Sequence, residues 1–231
     1  MENLKRIDWV KWLIITLGVW LIIYPHPYKA LVTILVIVPM ITLFIHGIVG
    51  NRPSISALFD GVLDNKSSFS PITHFCCSFI LLGFRVFMDY DPENMFVMMG
   101  VGLVSAFIPC LILLSTHKLA DKKDEMAGLN YVLLGLMLLF YPPTSMFAIN
   151  CVYDNTEPHT YQVKVIDKDK SRSSSKSGGD YYLKVTSWTH NSEPISIEVS
   201  SDKYSDVEEG DTVIVHARDG LFGVGWYYIE L

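Results

Sequence analysis

Over the first 150 positions, apolar residues gather into five long runs separated by short polar breaks. A helix rises ~1.5 Å per residue, so crossing a hydrocarbon core ~30 Å thick takes about 20 apolar residues. The runs at 8–24, 30–50, 72–88, 95–115 and 129–152 reach or approach that length. The second and fourth reach it outright. The fifth does so despite Pro142-Pro143, because neighbouring helices satisfy the carbonyls that prolines free inside a span. The first is short, and its Lys11 can snorkel toward headgroups. The third is short and holds His74 and Arg85. Its apolar residues surround the helix axis instead of lining one face, which favours a span over a surface helix.

Past residue 152 the pattern changes to period two. Alternation over Thr160–Asp167, Asp180–Trp188, Pro194–Ser200, Asp211–Arg218 and Val224–Leu231 predicts five short strands. Glu209-Gly210-Asp211 and Asp219-Gly220 supply turn chemistry around the fourth strand. The polar, Gly/Ser-rich stretch Lys168–Gly179 is expected to be a mobile hairpin tip. The fold class expected is a membrane α-helical bundle of about five transmembrane helices at 1–152. A small all-β domain at 153–231, an SH3-like or OB-like barrel, follows it.

Composition sharpens that division. Charged residues are 18% of the chain and mean hydropathy is +0.31. Residues 1–150 hold ten Lys+Arg and ten Asp+Glu, whereas 151–231 hold eight and fourteen, so the whole net charge of −6 lies in the last third. An acidic soluble part lacks the basic face a nucleic-acid partner needs. With the N-terminus in the cytoplasm, Lys5, Arg6, Lys11, Arg52, Lys66, Lys118, Lys122 and Lys123 fall inside, and Lys29 and Arg85 outside. That distribution obeys the positive-inside rule and sets the β domain outside the membrane. Trp9, Trp12, Trp20, Tyr24, Tyr28, Tyr90 and Tyr141 are expected at the two interfaces. The first run follows Lys5 and Arg6 like a signal peptide. No small-x-small site follows, so an uncleaved span in a tight hairpin is expected. A bacterial inner membrane is the expected location. Between the second and third runs, Ile55, Leu58 and Val62 share a helical face. This reads equally as an interfacial helix or as an ordered loop packed under the bundle.

Candidate chemistry changes the picture little. Among four cysteines, Cys76, Cys77 and Cys110 read as buried small hydrophobes, and Cys151 could pair between chains. H-E-x-x-H, G-x-S-x-G, P-loop and G-x-G-x-x-G patterns do not occur. Gly100-Val-Gly102, followed by Ala106, reads as a close-packing stripe. His46 and His74 lie near the same membrane face and could meet, though two imidazoles fall short of a metal site. Arg85 and Asp89, at i, i+4, form a speculative polar site that is either an anion site or a local ion pair. Trp188, Trp226 and Tyr227 form a speculative partner surface. His159, His190 and His216 have no ligand spacing.

No catalytic, cofactor-binding or metal residues are assigned, and no cofactor is expected. The partners expected are the lipid bilayer, a protein bound by the β domain, and a second copy in a homo-oligomer. The leading expectation is a non-enzymatic binding, scaffold or assembly protein presenting an outward β domain. A channel or transport subunit with helices broken at Pro39, Pro109 and Pro142-Pro143 is the alternative. No span carries a carboxylate near its middle, which weighs against ion-coupled transport. A membrane enzyme using Arg85, Asp89 and Asn150 is weaker still.

Overall fold

A computed structural model describes residues 8–59, 70–119, 126–170, 181–189 and 193–230. They form two compact units. Unit 1 comprises Met1–Asn155 with Asp219–Val224, and unit 2 comprises Thr156–Arg218 with Gly225–Leu231.

Unit 1 is helical. Four of its helices are long and apolar enough to cross a membrane: α2 (Tyr28–Val49), α3 (Pro71–Asp89), the run of α4 (Met95–Ser105) and α5 (Phe107–Thr116), and α6 (Ala127–Val152). The first run yields α1 (Trp9–Ile23), which is apolar but only 15 residues long. Five expected spans thus become four helices of sufficient length and one shorter helix. At its start Asp8 caps α1 by accepting from Lys11 N at 3.0 Å. The fourth run breaks at Ala106 because Pro109 has no N–H for the Ser105 carbonyl. In contrast, α6 continues through Pro142-Pro143 for 26 residues.

Packing explains several sequence features. A Cβ on Gly102 would stand 2.3 Å from the Pro143 Cα, so α4 lies this close to α6 only with glycine there. Gly100 has no neighbour within 4 Å and takes no part. The 3-10 turn Ile55–Phe59 buries Ile55, Leu58 and Phe59 with Leu43, Phe75, Met137 and Tyr141. It is therefore packed against the bundle; Val62 falls outside the described residues. Tyr141 is also core, 1% exposed, and its hydroxyl donates to the Val36 carbonyl at 2.6 Å, so it is no interfacial ring. Cys76 is exposed, Cys77 and Cys110 are half-buried, and Cys151 is buried, which reverses the expectation for Cys76 and removes Cys151 as an accessible thiol. Outward faces are apolar: Ile34, Ile37, Ile41 and Phe44 on α2, and Ile80 and Phe84 on α3. Such surfaces suit acyl chains, and together with the four long helices they point to membrane association.

Unit 2 is a curled antiparallel sheet of β2 (His159–Lys170), β3 (Tyr181–Val185), β4 (Ile195–Val199), β5 (Thr212–Arg218) and β6 (Trp226–Glu230). The label β1 is kept for the two-residue strand Asp91–Pro92 of unit 1. Within unit 2 the order is β6-β5-β2-β3-β4. One strand serves both halves: β2 pairs with β5 over His159–Lys164 and with β3 over Val165–Lys170, and a bulge at Val165/Asp167 bends it between them. Alternation fixes the register, with Val163 opposite Val213, Val165 opposite Val185, and Leu183 opposite Ile197. These six side chains join Val207, Val215, Ala217 and Tyr227 in the core. A short helix, α7 (Ser201–Asp206), separates β4 from β5 and was not evident from periodicity. The expected mobile tip begins inside β2, and its residues 171–179 lie outside the described residues.

Candidate functional site

Four polar residues of α3 share one face. At about 100° per residue, His74, Ser78, Arg85 and Asp89 fall within an arc of roughly 60°. The other side of α3 is aromatic and meets α6, with Phe75 on Tyr141 at 4.7 Å and Phe87 on Phe147 at 5.7 Å between ring centroids. There too lies an apolar cavity of about 400 Å³, walled by Phe59, Ile72, Phe79, Leu136 and Phe140, with Cys76 at its edge.

At the start of α3, His74 is fully buried between α1 and α2. Its Nε2 lies 2.9 Å from Asp8 Oδ2, and its Nδ1 lies 3.2 Å from Thr42 Oγ1. The Thr42 hydroxyl donates to the Pro39 carbonyl at 2.8 Å, so it offers His74 a lone pair and Nδ1 carries a proton. Nε2 faces the Asp8 carboxyl across that 2.9 Å contact. The Asp8 side chain is only 6% exposed, so this is an acid–base pair shielded from bulk water.

At the end of α3, Arg85 Nε lies 2.8 Å from Asp89 Oδ2, and the Tyr28 hydroxyl donates to the same oxygen at 2.9 Å. Arg85 also reaches the Ile22 carbonyl, an unpaired acceptor at the C-terminus of α1, at 3.4 Å. The local ion pair, not an open anion site, is what these contacts describe. Between the two ends, Ser78 is fully buried and its hydroxyl has no hydrogen-bond partner among the described residues. One turn further on, Leu81 sits against Gly18 of α1, where an added Cβ would meet Leu81 Cδ1 at 2.4 Å.

His46 and His74 do not meet. His46 Nδ1 lies 3.2 Å from His117 Nε2, with the rings stacked at 5.4 Å. His117 Nδ1 lies 2.8 Å from Thr116 Oγ1. Burial, reinforced by the neighbouring His46, pushes the His117 imidazole down to about 4. Among the described residues no three His, Cys, Asp or Glu side chains group to hold a metal ion.

Asn150 is fully buried and its groups are occupied. Its side chain donates to the Val224 carbonyl and accepts from Phe222 N, both at 2.8 Å, and its carbonyl accepts from Leu221 N at 3.1 Å. Asp154 accepts from Gly220 N at 3.1 Å. Gly220 has φ +76, and a Cβ there would stand 2.4 Å from Asn150 Nδ2, so glycine is required twice over. These contacts bind the Asp219–Val224 loop to the end of α6, which gives Asn150 a holding role.

In unit 2, Trp226 and Tyr227 are buried at 6% and 9% exposure, and Trp188 is half-buried edge-on to Tyr227 at 5.1 Å. The surface expected of these three is therefore not a set of exposed rings. Tyr161 and Tyr228 are the more exposed aromatics on these strands, with His216 stacked on Tyr228 at 4.8 Å and bonded to Glu230 at 2.8 Å. Sequence spacing marked Arg85 and Asp89, but it missed Asp8, Thr42 and His117, whose partners are 32 to 71 positions distant. No family model, curated protein or solved structure matches this chain.

Proposed function

We propose that this is a multi-pass membrane protein that presents unit 2 to a protein partner, with the helices as anchor and assembly surface. The observation that carries this reading is the hold of Asn150 and Asp154 on the Asp219–Val224 loop. The chain leaves unit 1 after Asn155, returns at Asp219 and leaves again after Val224, so unit 2 is tethered at more than its N-terminal end. Three consecutive strands, a helix, and two further strands with the fourth beside the first is OB-type connectivity, and we assign unit 2 to that barrel type over the SH3-like one. OB-type sheets bind ligands on an open face, and the acidic balance of residues 151–231 favours a protein over a nucleic acid. The proposed orientation sets the N-terminus in the cytoplasm of a bacterial inner membrane, with unit 2 outside. Protease added to intact spheroplasts is expected to digest unit 2 and spare the helices. A photoreactive side chain at Tyr228 of the full-length protein is expected to give a discrete crosslinked product. Complete protection, with no crosslink from Tyr228 or Tyr161, would reject the reading.

A second reading, a channel or transport subunit, gains from one observation. Asp8, the cap of α1, meets His74 in the first turn of α3, so a carboxylate and an imidazole pair at the ends of two apolar helices with side chains 6% and 0% exposed. Flux in reconstituted vesicles is its test, and no flux across several small ions would reject it.

A further inference from the structure

We propose that the α1–α2–α3 seam is a proton path, with Asp8–His74 as its loading site and Asp89–Tyr28 at its far end. The inference rests on the transport reading and names its substrate as H⁺. Four polar residues share the face of α3 that turns away from α6. The loading site is a carboxyl–imidazole pair in contact at 2.9 Å, with side chains 6% and 0% exposed, and its imidazole also touches the Thr42 hydroxyl. An apolar contact would join these helices without the desolvation such a pair brings, so its presence inside a membrane-spanning set points to proton handling.

Ser78 is the second observation. Its hydroxyl is fully buried and unpartnered among the described residues, one helical turn beyond His74 toward Arg85. A hydroxyl in that state is placed to receive a water molecule. Beyond it the face carries Leu81 and Leu82, and Leu81 rests on Gly18 of α1. The path is therefore closed in this structure at the Leu81–Gly18 contact, and it opens when Leu81 leaves that seat. The far station, Asp89 with Tyr28 and Arg85, is partly exposed and exchanges with solvent.

The transfer is a proton relay with no redox change. The O–H bond of protonated Asp8 breaks as an N–H bond forms at His74 Nε2. The imidazolium then gives its Nδ1 proton, on the Thr42 side, to a water molecule, which passes it along the seam toward Asp89; Asp8, left as a carboxylate, takes its next proton from the aqueous phase at the start of α1, and a turn of the ring returns the remaining Nε2 proton to the Thr42 side. Among the described residues, the groups around His74 include Asp8 and Lys11 from the start of α1 and Thr42 from α2; Cys77 on α3 faces the same Asp8 and Lys11, and Tyr141 of α6 lies behind Phe75. Lys11 is the cation among them, and it disfavours a second positive charge at the site.

The test uses the purified full-length protein in phosphatidylethanolamine–phosphatidylglycerol vesicles loaded with a pH-sensitive dye, with a potassium potential as driving force. Leu81→Ala is expected to raise proton entry about tenfold over the unsubstituted protein. Adding Asp8→Asn or His74→Gln to Leu81→Ala is expected to return entry to the level of protein-free vesicles, and adding Ser78→Ala to slow it. Asp8→Asn keeps an acceptor for Lys11 N, so it reads the same step if His74→Gln does not fold. Proton entry through Leu81→Ala no faster than in protein-free vesicles overturns the proposal. So does entry unaffected by Asp8→Asn. Potassium or chloride flux without proton flux rejects the proton path while leaving the transport reading standing, and no flux of any ion rejects both.

Discussion

The two ends of α3 use similar chemistry under different conditions. At its start, His74 pairs with Asp8, 66 positions away, and with Thr42, 32 positions away; His74 and Thr42 are buried and the Asp8 side chain is 6% exposed. At its end, Arg85 pairs with Asp89 four positions away, with side chains 18% and 25% exposed. Polar contacts between distant, buried partners fix tertiary structure, because each partner has no solvent to fall back on. A contact within one helix, half in solvent, adds little beyond what the helix already has.

The largest effect should come from removing one member of the buried pair. Asp8→Ala or His74→Ala is expected to cost about 3–5 kcal/mol, since each strands its partner without water. Thermal unfolding in detergent measures it. The paired change Asp8→Leu with His74→Phe should recover part of that loss, because neither member of the pair is left orphaned and only the cap on Lys11 N stays unmade. Single losses below about 1 kcal/mol would make the two ends equivalent and remove the contrast.

The same contrast explains what could be read from the chain. Long apolar runs gave α2, α3 and α6 their places, and period-two alternation gave the strands of unit 2 within a few residues. Both signals are local, and so is the i, i+4 spacing of Arg85 and Asp89. Asp8 looks like the polar edge of a span and acts as a cap, but its other oxygen depends on which helix folds beside it. His117 likewise gains its meaning from His46, 71 positions away. Tyr227 misled for a related reason: strand alternation leaves open which phase faces the core, and Ala217 opposite Tyr227 settles it, whereas Trp226 on the other face lies under the Arg218 guanidinium at 5.6 Å. The break at Ala106 and the continuity of α6 show proline acting in opposite ways, set by what packs beside each.

Between the two ends, Gly18 tests how tightly the seam is closed. Gly18→Ala should cost about 1–3 kcal/mol, because its Cβ would stand 2.4 Å from Leu81 Cδ1 and 2.7 Å from Leu81 Cβ. Gly135 on α6 has no neighbour within 4 Å, so Gly135→Ala should be neutral or slightly stabilising. Equal effects of the two changes on unfolding temperature would mean that the seam is loose.

His46–His117 adds a dependence on pH. His46 lies one turn beyond Thr42 on α2. The His117 imidazole titrates near 4 in the folded chain and near its ordinary 6.5 when unfolded. Between those values the unfolded chain binds more protons, so stability is complete above 6.5 and falls as pH drops toward 4. The expected slope is on the order of 1 kcal/mol per pH unit. It should vanish in His117→Asn, as unfolding in detergent at a series of pH values would show. An identical slope in both proteins would assign the titration to other groups.

The smallest effect is expected at the far end of α3. Arg85→Ala removes an i, i+4 ion pair, one weak bond to the Ile22 carbonyl and a guanidinium 5.9 Å from the Tyr28 ring centroid. Such partly exposed contacts together are worth about 1 kcal/mol. Asp89→Asn should cost about as much, because the amide oxygen still accepts from Tyr28 while the charge is lost. Raising salt toward about 1 M shortens the screening length to ~3 Å and should shrink the Arg85→Ala effect, whereas the Asp8–His74 pair, shielded from solvent, should hold its value. Salt-dependent loss at both ends would mean that water reaches His74, and burial could then no longer explain why one contact organises the bundle and the other only decorates it.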